Sequence, residues 1–223
     1  MALSVFFDLD GTLWDYKANA KETLTHMVKQ FDLPVDPVVL GETFLEVNDA
    51  LWGGYQRGEL TQKRFRELRF IKVLSTLGIQ DYGLAHRLSE HYIVHCPKNG
   101  RLKEGVVQML KDLKEAGIPM YIATNGFHDV QKVKLSTSGL TPFFRRLYSP
   151  QVLKCRKPDP AYFQGMLRDA GVEAENAVMV GDEASMDVFP AQTLGIRSYY
   201  VGHKKIPNLD SIKIRDLASL IKG

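Results

Sequence analysis

The feature that most constrains this chain is a short apolar run, Leu3 to Phe7, that ends on Asp8 and is followed by Asp10 and Gly11. Val5, Phe6 and Phe7 are consecutive and show no polar alternation, the pattern of a strand buried on both faces of a parallel sheet. A strand of that kind needs helices above and below it, and so predicts an α/β fold. Carboxylates at its end lie where an open parallel sheet binds ligands, beyond the carboxyl ends of the strands.

Residues 16–96 read differently. Leu24, Met27, Val28 and Phe31 keep helical spacing, as do Leu40, Phe44, Val47 and Leu51, then Phe65, Leu68, Ile71 and Leu74, and finally Leu84, Leu88 and Tyr92. Asp36 before Pro37 and Thr61 after Gly58 are helix starts, and Gly78 is a stop. Four amphipathic helices predict a bundle. From about Lys103 onward helices alternate with short apolar segments, with strands expected at 118–123, 146–149, 177–181 and 196–201. The helix carrying Val106, Met109, Leu110 and Leu113 should stop at Gly117, and Asp159 with Pro160 should open one that closes at Gly171. The expectation is a Rossmann-like, doubly wound parallel sheet core (1–15 and 97–223) with an inserted α-helical bundle as a cap (16–96).

The length of 223 residues suits one domain plus a modest insertion. A formal charge of +3 with scattered Lys and Arg asks for no nucleic-acid polymer and no membrane surface. Cys96 and Cys155 have no zinc or redox spacing and read as free thiols of a reducing compartment, with Cys155 a reactive candidate beside Lys154, Arg156 and Lys157. No apolar run reaches the length of a membrane span, and the stretch from Met1 to Phe7 lacks the basic region of a signal peptide, so a cytoplasmic protein is expected. Oligomeric state is not legible.

The polar residues at the strand ends form a chemical inventory. Asp8 and Asp10 follow the first strand, Thr124, Asn125 and Gly126 the second, and Asp182 and Asp187 the fourth, while Lys157 precedes a helix start. Right-handed crossovers bring such segments to one face. Asp8 can act as a nucleophile on phosphorus, splitting a difficult displacement into two easier ones if a cation screens the repulsion. Mg²⁺ suits Asp8, Asp182 and the Asp10 carbonyl as ligands, with Asp187 orienting a metal-bound water. Asp10, on the same side of an extended chain as Asp8, can protonate the leaving oxygen and later activate water. The Thr124 hydroxyl and the backbone of Asn125 and Gly126 can grip phosphate oxygens, and Lys157 can offset their charge. Lys154 competes with Lys157, but the Pro158-Asp159-Pro160 context favours the latter.

Asp8-Leu9-Asp10-Gly11-Thr12, Thr124-Asn125-Gly126, Lys157-Pro158-Asp159-Pro160 and Gly181-Asp182 with Asp187 resemble the four motifs of the haloacid dehalogenase-like hydrolase superfamily, in the family's order and over nearly the whole chain. The resemblance implies a Mg²⁺-dependent phosphatase acting on a small phosphorylated metabolite through an aspartyl phosphate. A looser likeness, carried by 47–52, Tyr55, Gly58, Thr61, Leu68-Arg69-Phe70, Gly126-Phe127 and Ser138-Gly139-Leu140, is to the pyrimidine 5′-nucleotidase branch. It implies a nucleoside monophosphate, with Trp14, Asn48, Trp52, Arg69 and Phe127 as base or sugar contacts; the plainer reading of Trp52 and Tyr55 is packing of the cap. A sugar phosphatase, a phosphoglycolate phosphatase or a phosphomutase would use the same core. A dehalogenase has no need of the acid and base that Asp10 supplies. Outside enzymes, a phosphoaspartate signalling receiver conflicts with the long helical insertion, and a silent ligand-binding protein leaves the acid, base and metal set without purpose.

Overall fold

The structure is a computed structural model that describes residues 3–222, so the expected core's outermost residues, Met1, Ala2 and Gly223, lie outside the described residues. In chain order the main elements are β1 (Ser4–Phe7), α1 (Tyr16–Gln30), α2 (Pro37–Gln56), α3 (Gln62–Thr76), α4 (Tyr82–His95), α5 (Val106–Glu115), β2 (Met120–Ala123), α6 (His128–Thr137), β3 (Leu147–Tyr148), α7 (Pro150–Leu153), α8 (Pro160–Ala170), β4 (Ala177–Gly181), α9 (Phe189–Gln192), β5 (Arg197–Tyr200) and α10 (Leu217–Lys222). Two units result. One is helical, Tyr16–Gly100; the other comprises the stretches up to Asp15 and from Arg101.

In the second unit the strands form one parallel sheet in the order β3-β2-β1-β4-β5. β1 is central, with Phe7 level with Ile122 of β2 on one side and Val180 of β4 on the other. That position explains its unbroken apolar sequence, since both faces are covered and Val5, Phe6 and Phe7 are fully buried. On one face Phe6 stacks on Tyr121 with ring centroids 4.8 Å apart, and Tyr148, Tyr162, Phe163 and Met166 complete that layer. Asp159 caps α8 by accepting from the Ala161 amide at 2.9 Å with Pro160 in its first turn. Gly171 ends that helix at φ +66°, a left-handed conformation that a side chain would strain.

In the helical unit each helix packs on the next and α1 packs on α4. Asp36 and Thr61 are the caps of α2 and α3, accepting from the amides of Val38 (2.7 Å) and Arg64 (3.2 Å). The buried stripe differs from the expected one in each helix: Val28 of α1 and Leu84 of α4 are only half-buried, and on α2 and α3 polar side chains enter the stripe. On α2, Asn48 is buried and Val47 only half-buried; on α3, Arg69, Phe70 and Val73 are buried while Leu68 and Ile71 are half-buried. The cause is an aromatic cluster: Phe44, Phe70 and Tyr92 meet with centroids 4.7 to 5.7 Å apart and turn α3 to bring Phe70 inward. The chain crosses between units at Gly100, later than the expected 96, because Asn99 Nδ2 donates to Asn19 O (3.1 Å) and Thr23 Oγ1 (2.9 Å) of α1. Among the described residues no helix is long and apolar enough to cross a membrane.

Candidate active site

The strand order sets the site. The chain runs from β1 to β2 and β3 on one side and to β4 and β5 on the other, so the segments after β1, β2 and β4 diverge around one crevice. Asp8 continues β1, its amide donating to Val180 O at 2.9 Å. The chain then folds back, with the Trp14 amide donating to Leu9 O (2.8 Å) and the Gly11 amide to Trp14 O (2.9 Å). The Asp10 carbonyl takes no part in that bridge. Gly11 sits at φ +85°, and a Cβ there would collide with the Asp182 carboxylate, so glycine serves both the backbone and the close approach.

Asp8, Asp182 and Asp187 offer carboxylate oxygens within 4.8 Å of one another. Lys157, only 2% exposed, donates from Nζ to Asp8 Oδ1 (2.9 Å), Asp187 Oδ1 (2.6 Å) and Ala123 O (2.8 Å), which uses all three of its protons. Thr12 Oγ1 donates to Asp182 Oδ1 at 3.1 Å, and the Glu183 amide donates to Asp187 Oδ2 at 3.2 Å. Asp187 rides on a π-type turn, Ala184–Val188, and Gly181 leaves the room its carboxylate occupies.

Three carboxylates around one ammonium leave an excess of buried negative charge, and the titration behaviour reflects it. Burial pushes Asp8 well above the usual carboxylate range; Lys157 opposes this, while Asp187 and Asp182 add to it. Burial and the charge of Asp187 push Asp182 up to about 6. For Lys157, burial works to lower the pKa, but Asp187 and Asp8 more than offset it and hold the ammonium charged. A hard divalent cation takes this oxygen donor set and relieves this charge excess, so the residues fit Mg²⁺.

The motif after β2 supplies the other wall. Thr124 Oγ1 accepts from the Gly126 amide (3.0 Å) and from Gln131 Nε2 (2.9 Å), so its own proton points elsewhere and suits an anionic oxygen. The side chain of Asn125 has a task separate from the backbone contact to phosphate expected of that residue. Its Nδ2 donates to Lys157 O and its Oδ1 accepts from the Lys157 amide, both at 2.9 Å, so it clamps the lysine's backbone. Tyr162, fully buried, places its hydroxyl 3.1 Å from Thr124 O and 3.0 Å from Tyr148 O.

Asp10 is held by two residues that motif reasoning missed. Gln131 Nε2 donates to its Oδ2 at 2.9 Å, and Lys134 Nζ donates to its Oδ1 at 2.5 Å while lying 4.3 Å from the centre of the Trp14 ring. The signal available was their spacing, one turn apart on the helix that opens just after Thr124-Asn125-Gly126. Lys154, the rival of Lys157, is exposed and ends α7. Cys155 is not activated: burial and Asp159 push its thiol up.

The remaining expected contacts divide between the units. Trp14 is fully buried, its ring lying beneath the Lys134 ammonium with no face open to solvent. Phe127 is buried at the start of α6. In the helical unit Trp52 packs against Tyr55 (5.1 Å) and Phe65 (5.6 Å), and Asn48 is buried. Arg69 is buried among Phe44, Phe65, Phe70 and Tyr92, 4.5 to 5.8 Å from their centres, and its Nε is sealed with no hydrogen-bond partner.

A model of the haloacid dehalogenase-like hydrolase family matches residues 4–195. The chain belongs to that family. Among curated relatives of this family member, the pyrimidine 5′-nucleotidase PynA of Streptococcus pneumoniae is 26% identical over 92% of this chain and 85% of its own length. A phosphoglycolate phosphatase of Agrobacterium fabrum is 28% identical over 96% of this chain and 88% of its own. Among solved structures, the HAD-hydrolase YfnB of Bacillus subtilis, bound to magnesium and described as revealing interdomain movement, superposes with a TM-score of 0.87 at 22% identity over 100% of both chains, a likeness of fold.

Proposed function

We propose that this hydrolase is a Mg²⁺-dependent phosphatase that cleaves a small phosphate monoester through an aspartyl phosphate on Asp8, with a nucleoside 5′-monophosphate as its preferred substrate class. The observation that carries this reading is the meeting of Asp8, Asp182 and Asp187 within 4.8 Å while Lys157 spans Asp8 and Asp187. Asp8 Oδ1 is held by Lys157, which leaves Oδ2 to attack phosphorus. When bound to Asp8, Asp182 and the Asp10 carbonyl, with Asp187 beside them, Mg²⁺ supplies the neutralisation that lets a carboxylate approach an anionic ester. Thr124 donates its hydroxyl proton to a phosphate oxygen and the backbone amide of Asn125 supplies a second donor, while the Gly126 amide, expected to join them, is spent on Thr124 Oγ1 and aims that hydroxyl. As the bond from phosphorus to the leaving oxygen breaks, Asp10 hands that oxygen a proton. A water then loses its proton to Asp10 and attacks phosphorus, which frees inorganic phosphate and restores Asp8.

Similarity to PynA over 92% of the chain supports a pyrimidine nucleotide, and the Agrobacterium relative supports phosphoglycolate as the second reading. A phosphate-release screen over nucleoside 5′-monophosphates, sugar phosphates and phosphoglycolate with and without Mg²⁺ separates them. Asp8→Asn should lower turnover by roughly 10³-fold or more; a variant that turned over at the wild-type rate would remove Asp8 as nucleophile.

A further inference from the structure

The α6 side chains Gln131 and Lys134 belong to none of the four motifs, yet both reach Asp10. Gln131 is fully buried and Lys134 is 6% exposed, an uncommon cost for a lysine unless its charge has a fixed task. The two occupy opposite oxygens of one carboxylate: Lys134 Nζ at Oδ1 (2.5 Å) and Gln131 Nε2 at Oδ2 (2.9 Å). Such double anchoring removes the rotation about the last side-chain bond that a lone aspartate would keep.

The anchors are themselves anchored. The Lys134 ammonium rests over the Trp14 ring, and Trp14 is tied through its backbone to Leu9 and Gly11 on either side of Asp10. Gln131 shares its amide between Asp10 and Thr124 Oγ1 and fills the space that a Cβ on Gly126 would need. One amide group thus links the carboxylate that serves the leaving oxygen to the hydroxyl that serves the phosphate.

From this geometry we infer that Lys134 and Gln131 are positioning residues that fix the Asp10 carboxylate for proton transfer, with Gln131 setting its place relative to Thr124. The inference rests on the phosphatase reading above. Neither residue touches substrate; each acts through Asp10.

The test uses two esters of the same shape, p-nitrophenyl phosphate and p-methylphenyl phosphate, whose leaving phenols differ in acidity. The first phenolate departs without help; the second needs a proton. Because kcat/KM covers only the steps up to departure of the phenol, it isolates proton delivery from the later attack of water. Lys134→Met keeps the buried stem and removes the donor. Its kcat/KM for the p-methylphenyl ester should fall by roughly 10²-fold, the scale of general acid catalysis, and for the p-nitrophenyl ester by about tenfold less. Lys134→Arg, which retains a donor, should recover part of the difference, and Gln131→Met should show the same imbalance. Thermal melting of each variant identifies any that fails to fold. Equal losses on both esters in a folded variant, or no loss on either, would overturn the inference while leaving the phosphatase reading intact. A wild-type chain inert toward every phosphate ester would overturn both.

Discussion

Lys157 shows how one residue can hold a site together. Its three protons go to Asp8, Asp187 and the Ala123 carbonyl, and it is sealed from water with 2% exposure. Two buried carboxylates that share one ammonium are tolerable; the same pair without it is not, because burial charges each of them the full loss of hydration. Lys157→Met should therefore destabilise the metal-free protein by about 3–5 kcal/mol, less whatever Asp8, already raised by burial, recovers by holding a proton. Urea denaturation measures this, and added Mg²⁺ should restore part of the loss, since the cation replaces the missing charge. An unchanged unfolding midpoint would mean that the ammonium does not stabilise the carboxylates. Sequence reasoning named Lys157 from its Pro-rich context, but the clamp that aims it, the paired bonds of Asn125 to its backbone, joins residues 32 positions apart and has no local signature.

At the scale of elements, α3 carries an arginine where a buried face would ordinarily carry an apolar residue. Arg69 projects into the rings of Phe44, Phe65, Phe70 and Tyr92, with Tyr92 nearest at 4.5 Å, and Tyr92 is itself buried. Ring faces offset part of the cost of burying a cation, yet replacing a buried charge by an apolar side chain of similar length is often neutral or stabilising. Arg69→Met is expected to hold or raise the melting temperature of the helical unit's transition. The resemblance to the pyrimidine 5′-nucleotidase branch implies Arg69 as a substrate contact, and on that reading the same variant should raise KM for a nucleoside monophosphate by about tenfold or more, the scale of one charge-assisted hydrogen bond. A lower melting temperature with unchanged KM would assign it to packing alone. Helix starts were legible here, since Asp36 and Thr61 act through amides two and three residues away. The buried face of α3 was not, because the spacing of Phe65, Leu68, Ile71 and Leu74 is as regular as that of the face that packs.

For the whole molecule the acidic cluster couples folding to pH and to metal. The Asp182 carboxyl rises from 3.8 to about 6 on folding, so between those values the native chain holds a proton that the unfolded chain has lost. Stability of the metal-free protein must then fall as pH rises through that window, and Asp8, raised in the same direction, adds to the slope. A divalent ion reverses the preference, because it binds the deprotonated carboxylates; the gain in melting temperature on adding Mg²⁺ should grow as pH rises through about 6. Calorimetry of wild type and Asp182→Asn with and without Mg²⁺ checks both signs, and a variant with the same pH slope and metal response as wild type would place the cause elsewhere. The α/β class, the helical insertion and the acids at the strand ends were readable from the chain, because burial on two faces, helical spacing and the turn chemistry after a strand are properties of neighbouring residues. What the tertiary structure alone decided is which side chains serve which: that Asn125 holds Lys157, that Gln131 and Lys134 hold Asp10, and that Trp14 lies beneath a lysine instead of facing solvent. Those pairings span up to 124 positions and are set by the strand order and the side-by-side packing of distant segments, which no local pattern of residues encodes.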